Sequence, residues 1–221
     1  DKEEEWSHID WENPDQEKIK EFCKKMLAYN VKLCPTMVVL DQPMKYPDFW
    51  SPKNIIIESA SKINYMMDYW KEHTEIIDIL KSSSAKINNF TKVVAKIYYD
   101  MGGTVVAGSD TPAFVYTYPG MALHRELELF VEIGFTELEA LQAATVNAAK
   151  SINLHDIGSI QEGKIADLVI LNNNPLENIK HTQDIEFIVK GGKVYNQQEI
   201  LDTVPTEEEV NKSMQDFIDK W

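Results

Sequence analysis

Residues 103–112 read Gly103-Thr104-Val105-Val106-Ala107-Gly108-Ser109-Asp110-Thr111-Pro112, and their reading decides the fold. A short apolar run opened by glycine and closed by a polar turn is the pattern of a strand buried on both faces of a parallel sheet. Ahead of it, residues 84–101 carry Ile87, Phe90, Val94, Ile97 and Met101 at helical spacing, and Gly102 stops that helix. Behind it, residues 120–132 repeat the spacing with Leu123, Leu127, Phe130 and Val131. Gly134 ends that helix, and Thr136-x-x-Glu139 is a capping box that opens another, with Leu138, Leu141 and Ala144. Helix, strand, helix is the unit of a parallel α/β architecture.

The same order stands earlier in the chain. A helix is predicted from Pro14, capped by Asn13, with Ile19, Phe22, Cys23, Met26 and Leu27 as its stripe. A buried strand is predicted over 31–40, interrupted at Pro35, so that Cys34-Pro35-Thr36 marks a strand end or bend. Residues 41–84 are the least regular. Pro43, Pro47 and Pro52 punctuate an aromatic loop, and a helix follows over about 54–72 with Ile56, Ile63, Met67 and Trp70. The tail changes character: 157–160, 166–171 and 185–195 read as β, with Gly191-Gly192 as a hairpin turn. An amphipathic helix closes the chain from Pro205, with a capping box at Thr206 and Glu209 and a stripe of Val210, Met214, Phe217, Ile218 and Trp221. The divisions expected are an α/β segment over 1–155, part of a small β domain over 156–204 and a terminal helix over 205–221.

Composition bounds the function. The chain has 221 residues, a net charge of −14 and 43% hydrophobic residues, enough to bury a core. Nucleic-acid and anionic-membrane partners are disfavoured, because both need clustered Lys and Arg. No apolar run approaches the roughly 20 residues of a membrane helix. Two cysteines exclude a disulfide-dense scaffold and an all-cysteine metal site. The first residue is Asp1, so the chain reads as part of something longer, and a missing signal peptide carries no information about compartment. Two unpaired thiols lean toward a reducing one.

In parallel α/β folds, chemistry sits at the C-terminal ends of strands. Those ends hold Pro35-Thr36 and Ser109-Asp110, which makes Asp110 the first candidate. A carboxylate there can bind a metal or move a proton between water and a leaving group; it can also merely cap the turn before Pro112. The histidines, at 8, 73, 124, 155 and 181, form no His-x-His or His-x-x-x-His pair. His124, at the start of the helix after the Asp110 loop, is the best placed of them, and Tyr116 and Tyr118 lie in that loop. All three can line a substrate pocket or simply pack. Gly-x-Ser-x-Gly, Gly-x-Gly-x-x-Gly and Walker patterns are absent, so serine hydrolysis and nucleotide binding have no support. Cys23 and Cys34 read as inert buried thiols.

Three segments together resemble the metal-dependent amidohydrolases. Residues 103–112 resemble the last barrel strand of that family. Residues 123–129 and 139–149, running from Leu123-His124-Arg125-Glu126 to Thr145-Val146-Asn147-Ala148-Ala149, resemble the helix pair that follows it. Residues 157–171, with Glu162-Gly163-Lys164-Ile165-Ala166-Asp167-Leu168-Val169, resemble the return to its β-sandwich. The nearest branch is imidazolonepropionase-like and Xaa-Pro dipeptidase-like, and 31–39 with its Pro-Thr is similar to the preceding barrel strand there.

The resemblance implies the C-terminal part of a (β/α)8 TIM-like barrel plus the C-terminal strands of a small β-sandwich. It implies hydrolysis of a C–N bond in a cyclic amide, imide or dipeptide-like small molecule by metal-activated water. The metal would be one or two divalent ions, usually zinc. Of the family's ligands only the aspartate maps here, onto Asp110, which would orient water and shuttle its proton to the leaving nitrogen; Thr36, Tyr116, Tyr118 and His124 would line the substrate. The His-x-His pair, the lysine or glutamate and two further histidines would lie ahead of Asp1. The chain by itself is therefore expected to bind no stoichiometric zinc and to lack hydrolase activity. Its open strand edges are expected to make it self-associate or pair with the missing N-terminal part. A non-catalytic module on the same fold and a metal-dependent deaminase of the same superfamily are the alternatives.

Overall fold

Lys32 and Leu33 pair in parallel with Thr104 and Val105, and this short ladder organises the first two thirds of the molecule. In this computed structural model the structure describes residues 9–45, 68, 70–72, 74–111, 113 and 117–218. Helix α1 (Gln16–Ala28) leads into β1 (Lys32–Leu33), then α2 (Met37–Lys45), α3 (Ile77–Asp100), β2 (Thr104–Val105), α4 (Met121–Glu132), α5 (Glu137–Ala144) and α6 (Val146–Ser151). The tail forms β3 (Leu168–Leu171), a 3-10 turn over Ile179–Gln183, β4 (Ile185–Lys190), β5 (Lys193–Tyr195), α7 (Gln197–Leu201) and α8 (Glu207–Ile218).

The strand predicted over 31–40 is corrected. β1 stops at Leu33, and Met37–Lys45 is a helix with Pro43 inside it. Pro35 offers no N–H to a ladder, and Thr36 adopts φ +45°, which turns the chain out of the sheet. The apolar residues that suggested a strand, Met37, Val38 and Val39, are buried as a helix face instead. The strand predicted from 104 to 108 likewise shortens, although its direction continues: Val106 N–H donates to the Leu33 carbonyl at 2.9 Å and Ala107 N–H to the Ala143 carbonyl at 3.0 Å. The stretch 157–160 is turn rather than β.

Caps explain several boundaries. Asp15, not the expected Asn13, caps α1, accepting from Glu17 N–H at 3.1 Å and Lys18 N–H at 3.2 Å. The Thr136 and Glu139 capping box closes reciprocally at α5, and the Thr206 and Glu209 box does the same ahead of α8. Both expected stripes lie against the core, through Phe90, Val94 and Ile97 on α3 with Met101 at its C-cap, and through Leu127, Phe130 and Val131 on α4, with one residue of each outside it. On α3 the buried positions are Ser84, Asn88, Ala95 and Tyr98, while Ile87 is exposed. On α4 the buried residues include Ala122, Arg125, Glu126, Leu127, Leu129 and Phe130, and Leu123 faces out.

The core joins Ile19 and Cys23 of α1, Met37 and Val38 of α2, Tyr98 of α3, Val105 of β2, and Leu127, Leu129 and Phe130 of α4. Gly103 is required there: a Cβ on it would lie 2.4 Å from the Tyr98 ring, whose hydroxyl donates to the Val31 carbonyl at 2.6 Å. In the tail, β3, β4 and β5 form an antiparallel sheet in that order, turned at Gly191-Gly192 as predicted. Among the described residues no helix is long and apolar enough to cross a membrane. The helix predicted over 54–72 lies largely outside the described residues.

Candidate functional site

The parallel pairing of β1 and β2 brings their two outgoing turns together. A Cβ on Gly108 would stand 2.5 Å from Cys34 Sγ and 3.5 Å from Thr36 Cγ2, so glycine is what lets the turns meet. Thr36 and Asp110 both take left-handed conformations, at φ +45° and +47°. Asp is among the non-glycine residues that adopt that region most readily, whereas a β-branched threonine does not adopt it without support.

The turn after Asp110 is closed by the main chain: Ala113 N–H donates to the Asp110 carbonyl at 2.8 Å. The Asp110 side chain is exposed and takes no hydrogen bond among the described residues. Of the two roles open to it in the sequence, the side-chain turn cap is therefore unsupported. Cys34, expected to be an inert buried thiol, is exposed beside this mouth. Desolvation raises its thiol pKa, and the charges of Glu126 and Asp110 push it further up. Cys23 is buried, as expected.

The remaining candidates separate. Tyr118 is buried and meets Trp70 edge to face at 4.9 Å between ring centroids. Tyr116 lies outside the described residues. His124 turns toward the tail, where its Nδ1 lies 2.9 Å from Thr182 Oγ1. The Thr182 hydroxyl donates to the Ile179 carbonyl at 2.8 Å, so it accepts from His124 Nδ1–H. Burial holds the imidazole pKa below its ordinary value, with Glu128 opposing, and the neutral ring then presents Nε2 as an acceptor. His124 lines a cavity of about 370 Å³ with Met121, Ile185, Ile188, Tyr195 and Ile200, away from the strand mouth.

Two residues on either side of the strand mouth's supporting helix were not singled out by the sequence reading. Glu126 is fully buried, with Oε1 accepting from Met37 N–H at 3.0 Å and Oε2 from Val38 N–H at 2.7 Å. Desolvation pushes its pKa up to about 8, against the two N–H donors and Arg125, which pull it down. Its neighbour Arg125 forks onto buried Asp41 of α2 and also binds Glu128 at 2.8 Å and Glu132 at 2.7 Å. Burial disfavours that guanidinium charge, but its carboxylate partners outweigh burial and raise its pKa. The sequence did hold a signal. Ala122, Glu126, Leu129 and Phe130 share one helical face, and a carboxylate among buried apolar positions needs a partner.

Among the described residues no group of three or more His, Cys, Asp or Glu stands close enough together to hold a metal ion. One aspartate falls short of the ligand count of a zinc site. The residues described here do not by themselves fit a divalent ion.

Compared with known proteins, residues 12–196 match the model described as Amidohydrolase family. An ochratoxinase from Aspergillus niger is 36% identical over 126 residues, 53% of this chain and 25% of that protein. An imidazolonepropionase from Pyrobaculum arsenaticum is 62% identical over 45 residues, 20% of this chain and 11% of that protein. The chain thus spans about a quarter or less of the length of these two relatives. Among solved structures, a Xaa-Pro dipeptidase with bound methionine superposes with a TM-score of 0.57 at 22% identity, covering 80% of this chain and 37% of that one. The A. niger ochratoxinase structure gives 0.56 at 22% identity, covering 80% and 35%. At this identity the likeness is one of fold, a TIM-barrel-like arrangement of mixed helix and strand.

Proposed function

Because the chain belongs to the amidohydrolase family, we propose that it carries the Asp110 corner of an active site that hydrolyses a C–N bond in a cyclic amide, imide or dipeptide-like small molecule. The observation that supports this reading is the exposed Asp110 carboxylate, free of hydrogen bonds among the described residues, at the outgoing end of β2 and beside the β1 turn. On this reading β1 and β2 are neighbouring strands of a (β/α)8 barrel. Residues 156–204 are part of a β-sandwich, and 205–221 a terminal helix.

The reaction adds water across the C–N bond. A C–O bond forms at the carbonyl or imine carbon, Asp110 takes a proton from the water, and the same proton passes to the departing nitrogen as the C–N bond breaks. Thr36, across the mouth, is the substrate contact we retain. A divalent ion would be completed by ligands from sequence ahead of Asp1. The chemistry assigned to this chain is Asp110's alone.

The second reading, a non-catalytic module, draws on the lack of a metal-binding cluster among the described residues. The coding sequence ahead of Asp1 separates the two. A His-x-His after a strand and two later histidines at strand ends support the enzyme. In that longer protein, Asp110→Asn is expected to lower kcat by about 10²–10⁴-fold, the range of a lost general acid–base. Undiminished turnover by Asp110→Asn would overturn the assignment.

A further inference from the structure

We propose that Glu126 is the positioning residue of the strand mouth: its carboxylate, fastened to the Met37 and Val38 amides, holds the Cys34-Pro35-Thr36 turn against the Gly108-Ser109-Asp110 end of β2. The inference rests on reading that mouth as the reactive corner.

Met37 and Val38 open α2, and the first amides of a helix have no partner within it. The ordinary remedy is local, a Ser, Thr, Asp or Asn hydroxyl or carboxylate at the preceding position. Thr36 stands at that position, yet its hydroxyl makes no hydrogen bond among the described residues; its carbonyl accepts from Val39 N–H at 3.2 Å and its own N–H donates to the Cys34 sulfur. The fold instead brings a carboxylate from 88 and 89 positions along the chain and buries it completely. Burying a carboxylate carries a desolvation cost that a local cap avoids. The remote cap does two things a local one cannot. It ties α4, the helix that follows the Asp110 loop, to the turn that leaves β1. It also leaves the Thr36 hydroxyl unspent at the mouth.

The grip also accounts for the backbone. A left-handed threonine costs on the order of 1–2 kcal/mol and persists only where its surroundings over-determine it. Pro35, buried on one side, and the two gripped amides on the other supply that constraint. The charged groups around Glu126 are its neighbour Arg125, Asp41 of α2 and, at the mouth, Cys34 with Asp110 beyond it. Arg125 spends its donors on Asp41, Glu128 and Glu132, so the two amides carry the Glu126 interaction. When ionised, above about pH 8, the carboxylate accepts from both amides; once protonated, its hydroxyl oxygen is the weaker acceptor and the amide facing it is held less firmly.

The test uses the full 221-residue chain and two local reporters, neither of which needs substrate. The first is amide hydrogen exchange at Met37 and Val38. Above about pH 8, where the wild-type carboxyl is ionised, at least one of them is expected to exchange about 5-fold faster or more in Glu126→Gln, the equivalent of one lost hydrogen bond of about 1 kcal/mol. The second is alkylation of Cys34 by iodoacetamide across pH, read by peptide mass spectrometry with buried Cys23 as the internal control. The wild-type profile is expected to show two linked ionisations, Cys34 and Glu126, and the Glu126→Gln profile one. Wild-type values for either reporter in a folded Glu126→Gln protein overturn the proposal. Should that variant not fold, the wild-type chain decides: a pH run of Met37 and Val38 exchange, corrected for intrinsic rate, must inflect, and a featureless run overturns the proposal. Failure of the hydrolase reading would show as absent turnover by the longer, metal-loaded protein with both reporters of the 221-residue chain behaving as expected.

Discussion

Arg125 and Asp41, 84 residues apart in sequence, meet in a buried two-bond fork: Nε to Oδ2 at 2.8 Å and Nη2 to Oδ1 at 3.2 Å. Arg125 is 9% exposed and Asp41 3%, so water replaces neither partner. Breaking such a pair from one side leaves an uncompensated buried charge. Arg125→Ala is expected to cost about 3–5 kcal/mol in urea denaturation, a large share of a typical domain's 5–15 kcal/mol or so. Lys45, 3.3 Å from Asp41, softens the loss. The Asp41→Ala and Arg125→Ala double variant should lose less than the sum of the singles by about 1 kcal/mol or more, because the two share one interaction. Strict additivity would mean that the fork does not form.

That fork marks the limit of what the sequence disclosed. Punctuation was legible: Gly191-Gly192 turns the hairpin, Thr136 with Glu139 opens α5, and Gly134 follows α4, because each is a local backbone requirement. The family resemblance was legible for the same reason, as a run of local signals in a fixed order. Residues 37–40 were misread as strand because a short apolar run has no period that separates a buried strand from a buried helix. The decision fell to Pro35 and to a carboxylate nearly ninety positions away. Asp110 became a candidate by its place after a strand. Glu126 and Arg125 did not, since their roles exist only once α4 lies against α2.

The pH dependence of stability should have limbs of opposite sign. The Glu126 carboxyl has an ordinary value of 4.5 and is pushed by burial up to about 8 in the fold. The native state therefore holds a proton that the unfolded chain has released. The stability tied to this group is complete below pH 4.5 and is lost as pH rises through about 8. Asp167 is depressed below 3.8, chiefly by its bond from Lys190 and then by Gly191 N–H, so its contribution is present above pH 3.8 and lost on further acidification. His124, depressed by burial, adds a loss as pH falls below 6.5. Calorimetric midpoints should show Glu126→Gln flattening the alkaline limb and Asp167→Asn flattening the acid one. An unchanged alkaline limb in Glu126→Gln would remove Glu126 from this account.

The contact between Gly108 and Cys34 gives a test of the mouth itself. A methyl group at position 108 would lie 2.5 Å from Cys34 Sγ, closer than van der Waals contact allows. Gly108→Ala is expected to destabilise by about 1–3 kcal/mol, the cost of overpacking a closed contact. Adding Cys34→Ala should restore most of that loss, since the sulfur is the atom met first. Gly108→Ala without effect on the unfolding midpoint would show that the two turns are farther apart than described.

The sheet of the tail bears on assembly. Cross-strand pairing puts Leu168, Val189 and Val194 on one face together with Ile170 and Phe187. On that face Phe187 is 37% exposed, Ile170 39% and Val194 57%. Alternation should place polar residues on a solvated face, so an apolar one this open calls for cover. In a longer protein, sequence ahead of Asp1 would supply it; in the 221-residue chain a second copy is the available cover. Light scattering at rising concentration is therefore expected to give a mass above the monomer's. Val194→Lys with Phe187→Lys should shift it back toward the monomer, because each lysine puts a charge in the middle of the patch. A monodisperse monomer at every concentration would show that the face needs no cover.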